Sequence, residues 1–125
     1  MNTAFEHPLG KLATVTVRVI DQDAAKTFYI EQMGLELRAD MPMDATSRWL
    51  TVAIPGGETE IVLYPDAAHA GQGPGLVFNT PDIQRAYEDL TGRGVMFTEA
   101  PTHQFQDQDG NGHVLVQLPS GFPGQ

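Results

Sequence analysis

The side chains able to do acid–base, nucleophilic or metal chemistry are few in this chain, and their distribution limits what it can do. There is no cysteine, which removes disulfides, thiolate nucleophiles and thiolate metal ligands together and is compatible with a reducing, cytoplasmic setting. Of the histidines, His7 falls in the N-terminal tail and His69 in a Pro/Gly-rich stretch, so both read as surface residues. His103 and His113 lie near the last strands. Glu60 becomes a general base if burial raises its pKa. Arg18 reads as a partner for Glu36 or Glu60 in an ion pair. Trp49, the single tryptophan, either stacks on a ligand or fills space, and Tyr64 reads as a wall. The run PDAAHAGQGPG has no phosphate-cradling pattern. Seven Lys and Arg against 16 Asp and Glu give a net charge of −9. Such a surface repels phosphate backbones, so nucleic acid is not an expected partner. It attracts cations or simply keeps the chain in solution.

The elements that must position these residues come in two similar stretches. One runs from Thr14 as TVTVRVIDQDAAKTFYIEQMGLELRAD and the other from Gly75 as GLVFNTPDIQRAYEDLTGRGVMFTEA. Each holds an alternating strand, an Asp (Asp21, Asp82), a helix of about three turns ending at a Gly (Gly34, Gly94), and a short apolar strand. The two Asp residues lie about 61 positions apart, half the chain, which implies duplication of a supersecondary unit. Val15, Val17 and Val19 alternate with Thr14, Thr16 and Arg18, the period that separates the two faces of a strand. Asp21 is placed to cap a helix whose buried stripe is Ala25, Phe28 and Tyr29. Thr80-Pro81 suits a cap followed by proline at the first helical position, with Ile83, Ala86, Tyr87 and Leu90 as the stripe. RWLTVAI and TEIVLYP form a hairpin around Pro55-Gly56-Gly57. Pro65 to Pro74 links the halves, and DQDGNG turns into the strand HVLVQL. Hydrophobic residues at 41% support a core, and charged residues at 18% are too few for disorder. No apolar run approaches a membrane span, and MNTAFEHPLG has no signal-peptide pattern.

The strand VRVID, the helix carrying Phe28-Tyr29, the Gly34-Leu35 exit and the DGN turn before an apolar strand resemble the vicinal oxygen chelate superfamily. That superfamily includes glyoxalase I, extradiol dioxygenases, fosfomycin-resistance enzymes and bleomycin-binding proteins. The resemblance covers roughly Lys11 to Leu118. It implies an α+β fold over residues 1–125, with two tandem βαβββ modules (about 11–65 and 75–118), curled mixed sheets around a shared cleft, and helices on the convex faces. It also implies where a divalent metal would sit in the metalloenzymes: at Thr14, at Val62 or Glu60, at Gly75 and at Val114. A metal needs three or four N or O donors, and these positions supply at most one good donor, so no metal and no cofactor are expected. His113 neighbours Val114, but strand alternation points it to the opposite face; His103 can reach the cleft. The resemblance also implies a second reading of Arg18, contact with an anionic substrate group as in some glyoxalases. The segment THQFQDQ is shorter than in family members, leaving the cleft open on that side or covered by a partner chain.

Strand parity puts Thr14, Thr16, Arg18, Trp49, Thr51, Glu60, Val62, Tyr64, Val114 and Val116 on the cleft face, with Leu50, Val52 and Ile54 in the core. The expected pocket is apolar with aromatic walls and a few polar anchors. The leading expectation is metal-independent binding of a small hydrophobic or cationic molecule, for sequestration or sensing, by a homodimer. The alternative is a lyase, isomerase or dioxygenase with an atypical site around Glu60, His103 and Tyr64.

Overall fold

The computed structural model describes residues 7–73, 75–99 and 103–117. Pro74 and Pro101, which bound the linker and the last hairpin in the sequence reading, lie outside those residues, as does Leu118. The first module runs β1 (Thr14–Val19), α1 (Gln22–Lys26) continuing as a π-helical segment (Thr27–Gln32), β2 (Glu36–Pro42), β3 (Arg48–Ala53) and β4 (Glu60–Pro65). The second runs β5 (Leu76–Thr80), α2 (Ile83–Gly92), β6 (Phe97–Glu99), β7 (Gln104–Gln106) and β8 (Gly112–Gln117). Each module folds one four-stranded mixed sheet, β1-β4-β3-β2 and β5-β8-β7-β6. β1 runs parallel to β4 and β5 parallel to β8; the remaining pairs are antiparallel.

Local chemistry explains the boundaries. The Asp21 carboxylate accepts the N–H groups of Asp23 (2.8 Å) and Ala24 (3.4 Å) and starts α1. In the second module the cap is Asp82, which accepts from Arg85 N–H (3.1 Å), and not Thr80; Thr80 Oγ1 instead accepts the Asp82 N–H (3.2 Å). A carboxylate also meets the positive end of the helix dipole, so it outcompetes the neutral hydroxyl. The first helix widens at its end: Met33 N–H reaches Phe28 O (3.0 Å) and Leu35 N–H reaches Tyr29 O (2.9 Å). Gly34, at φ 76°, lets the chain leave. Between β3 and β4, Gly57 N–H closes on Ile54 O (2.7 Å) and Gly56 has φ 81°, the Pro-Gly signature of a type II turn.

One apolar cluster spans both modules. Val17, Val19, Leu50, Val52, Ile61 and Leu63 meet Phe28 and Tyr29 of the first helix and Leu90, Val95, Phe105 and Leu115 of the second module. Ile54, expected in this core, is 48% exposed, because it stands after the last residue of β3, where the chain has already left the sheet.

A polar knot ties the modules beside this core. Asp107 Oδ1 accepts the N–H groups of Asp109 and Asn111 (2.9 Å each), and Oδ2 accepts from Asn111 Nδ2 (2.8 Å) and Tyr29 O–H (2.7 Å). Asn111 also donates to Arg18 O (2.9 Å) and accepts from Gly71 N–H (3.1 Å), while Asp109 accepts from Ile20 N–H (2.9 Å). The DGN turn therefore holds the end of β1, the linker and the first helix in one set of bonds.

Candidate functional site

The registers bring most of the anticipated cleft residues onto one face of the first sheet. Thr14 stands beside Glu60, Thr16 beside Val62, Arg18 beside Tyr64, and Thr51 beside Val62; Trp49 follows Thr51 on the same side by alternation. Thr14, Thr16 and Arg18 are exposed, Tyr64 is exposed and Trp49 is half-buried. The middle of this face is filled. Thr51 and Val62 are only 0% and 3% exposed. The Thr51 hydroxyl oxygen is the one buried side-chain polar atom without a hydrogen-bond partner among the described residues.

Arg38, which the sequence reading did not single out, crosses one end of the face. It pairs with Glu36 (2.8 Å) on β2 and with Glu60 (4.0 Å) on β4, and it donates to the carbonyls of Ile54 (3.4 Å) and Gly57 (2.9 Å). Arg18, one of the two readings for which was a pair with Glu36 or Glu60, binds Asp66 of the linker instead (3.2 Å). Arg38 shares a face of β2 with Glu36 by alternation and stands at the register shift between Leu37 and Ala39. Glu60 is thus paired with a cation.

The second sheet presents a groove of about 360 Å³ lined by Gly75, Val77, Gln104, Gln106, Gly112 and Val114, with Thr98 at its edge. Val114 sits between Val77 and Gln104 in register, and Gln106 opposite Gly112. Val116, half-buried, continues the row. Gln104, Gln106 and Val77 were absent from the sequence-derived site; their signal was the alternation in HQFQ, with Phe105 turned inward. His103 is not brought to the groove: its ring packs on Tyr87 (5.4 Å) and Phe97 (6.3 Å), in company with the second helix.

His113 faces the core, 1% exposed, as alternation requires. Its Nδ1 accepts the Leu76 N–H (3.2 Å), so the neutral ring carries its proton on Nε2, facing Tyr29 Oη (2.8 Å). Burial pushes the imidazole pKa below its ordinary value, only partly opposed by Asp107. Burial, then Asp107, pushes the Tyr29 phenol upward. Both groups stay neutral and structural near pH 7.

Against this geometry, the sequence matches the Glyoxalase/Bleomycin resistance protein/Dioxygenase superfamily over residues 11–112. The chain belongs to that superfamily. It is 38% identical over 119 residues to the uncharacterized protein YetH of Bacillus subtilis (strain 168), covering 87% of this chain and 99% of YetH. TnmS3, an antibiotic binding protein from Streptomyces sp. CB03234, superposes with a TM-score of 0.77 at 33% identity, over 90% of this chain and 99% of TnmS3. A superfamily member from Sphaerobacter thermophilus DSM 20745 gives a TM-score of 0.74 at 33% identity, over 88% and 98% of the two chains.

The superfamily's metalloenzymes raise the question of a divalent ion. At the four implied positions Val62 and Val114 carry no donor, Thr14 carries a neutral hydroxyl, and Glu60, the alternative to Val62, is bound by Arg38. At Gly75 a side chain has no room, since its Cβ would run into the Gly112 carbonyl oxygen. Among the described residues no three His, Cys, Asp or Glu side chains are grouped as metal ligands. The residues at the implied positions do not fit such a metal. None of the described helices is long and apolar enough to cross a membrane.

Proposed function

We propose that this chain binds a small hydrophobic molecule in the concave surface of its sheets, without a metal ion, and acts by sequestering or sensing it. The observation that carries the reading is the groove on the second sheet: where the superfamily's metalloenzymes place donors, Gly75 and Val114 supply none, and the groove they line holds no charged side chain. Its volume of about 360 Å³ falls within the roughly 300–1,000 Å³ of small-molecule sites. The likeness to an antibiotic binding protein points the same way. Binding by burial and stacking needs no ion.

A thermal-shift screen of hydrophobic and amphiphilic compounds, run with and without EDTA, tests this. A ligand at 100 times its Kd stabilises by about 2.7 kcal/mol, and the shift is expected to be the same in EDTA. A shift abolished by EDTA, or stoichiometric metal in protein purified without chelator, overturns the metal-independent reading.

The binding form is a homodimer in this proposal. Leu37, Met41 and Met43, on and after the edge strand β2, are 41%, 56% and 47% exposed. A two-fold pairing is the commonest way to cover such surface, and it has to overcome repulsion between two chains of net charge −9. Light scattering at micromolar concentration and moderate salt is expected to give twice the chain mass; a value near 13.6 kDa throughout that range refutes the dimer.

A further inference from the structure

The two concave faces are built on equivalent registers and end differently. Position by position, Thr14 corresponds to Gly75, Glu60 to Gly112, Thr51 to Gln104, Ala53 to Gln106 and Val62 to Val114. On the first sheet Thr51, Ala53 and Val62 are buried, and Arg38 ties Glu36 to Glu60 across one end. On the second, Gly75 lies against the Gly112 carbonyl, open space stands over Gly112, and Gln104 and Gln106 are exposed beside it. The second groove is therefore the vacated counterpart of a filled one.

Its chemistry is narrow. Val77 and Val114 supply apolar contact, and Gln104 and Gln106 supply carboxamides, each with an acceptor and two donors in one plane. His113 is the single ionisable residue lining the groove among the described side chains, and both its nitrogens are committed, to Leu76 N–H and to Tyr29. A cation or an anion entering would lose water without meeting an opposite charge. A carboxamide, by contrast, pairs edge to edge with another amide-like group.

We infer that this groove takes a neutral, planar ligand group with adjacent hydrogen-bond donor and acceptor, of the carboxamide or imide class, lying against Val77 and Val114 with its edge read by Gln104 and Gln106. The inference rests on the small-molecule reading above and deepens it. It also assigns the net charge of −9 to solubility rather than to ligand choice.

Three probes of one shape and different charge test it: 1-naphthamide, 1-naphthylmethylammonium and 1-naphthoate, titrated into ¹⁵N-labelled protein. The naphthamide is expected to move the side-chain NH₂ signals of Gln104 and Gln106 and the backbone signals of Val77 and Val114. The charged probes are expected to bind there at least tenfold more weakly. Gln104→Leu and Gln106→Leu, at exposed positions that leave the fold intact, are each expected to weaken naphthamide at least fivefold, with unchanged thermal midpoints. Equal or tighter binding of either charged probe at these residues overturns the inference. So does a naphthamide shift confined to the Trp49 and Tyr64 face, or no naphthamide shift at all. If compounds from the thermal screen still stabilise the protein in any of those cases, the small-molecule reading survives and this inference alone fails. If none does, both fail.

Discussion

In the first module, β3 and β4 meet at Ile54-Pro55-Gly56-Gly57; in the second, β7 and β8 meet at Asp107 to Asn111. The strand registers make Ile54 the counterpart of Asp107 and Ile61 the counterpart of His113. Leu90 stands as far past Asp82 as Tyr29 stands past Asp21. The residues at equivalent positions are thus Ile54, Ile61 and Leu90 for one turn and Asp107, His113 and Tyr29 for the other. The polar set is buried and fully bonded across the modules. The apolar turn makes no such bonds among the described residues, Ile54 stays half exposed, and a groove of about 220 Å³ lies open between it and Val77. The corresponding space beside Asn111 and His113 is about 130 Å³. The duplicated unit has been divided: one turn fastens the modules, and the other leaves surface free. The asymmetry follows from hydrogen-bond accounting, since a buried carboxylate is tolerated only where donors converge on it, and only the second turn meets a tyrosine from the opposite module.

The largest expected effect comes from exchanging the residues at the two turns. Asp107→Ile removes the acceptor of the Tyr29 hydroxyl, of one Asn111 amide hydrogen and of two backbone N–H groups, at about 1–3 kcal/mol for each group left unsatisfied. With partial relaxation the variant is expected to lose about 3–5 kcal/mol, read from the urea midpoint. The reverse change, Ile54→Asp, places a carboxylate where solvent reaches it and is expected to cost under about 1 kcal/mol. Comparable losses from the two variants would mean that the turns carry equal loads, and the comparison fails.

A smaller effect appears with pH. The folded protein keeps His113 neutral, with its pKa depressed by burial, whereas the unfolded chain takes up that proton near pH 6.5. Its contribution to stability is therefore complete above about pH 6.5 and declines as pH falls toward the depressed value, with a slope of at most about 1.4 kcal/mol per pH unit. Protonation would put a proton on Nδ1, where Leu76 N–H now donates. His113→Ile, which installs the residue of the first module, is expected to flatten this slope whatever it does to absolute stability. Carboxylates such as Asp40, held below the ordinary range by hydrogen bonds from Lys26 and Arg48, act at lower pH and leave the window clear. An unchanged slope in His113→Ile would place the proton elsewhere.

Much of this arrangement was legible in the residues. Alternation in β1 fixed which side of Val15, Val17 and Val19 faces the core, and the same rule turned His113 away from Val114. Asp21, Gly34 and the Pro-Gly turn act through their own local bonds, so neighbours in sequence were enough to read them. The helix start at Asp82 was missed because Thr80-Pro81 offers an equally good local pattern, and a difference in cap strength chose between them. Arg18 and Arg38 show the other limit. Both are long cations, and the fold paired Arg38 with Glu36 and Glu60 and Arg18 with Asp66. His103 sat near enough in sequence to suggest the cleft, yet its ring found Tyr87 and Phe97 instead.

By itself, then, the sequence determined the duplicated βαβββ units, the in-or-out sense of β1, β3, β4 and β8, and the lack of donors at Gly75, Val62 and Val114, because these depend on residue type and on periods of two and 3.6. The tertiary structure decided which concave face is filled and which is empty. Arg38 reaches across three strands of one sheet, and Gly75 lies against the Gly112 carbonyl of the other. It also joined Tyr29 to Asp107, 78 residues apart. The reason is physical: no local pattern encodes a hydrogen bond between distant residues, and only packing two modules on one core brings such groups within 3 Å and removes the water that would otherwise compete for them.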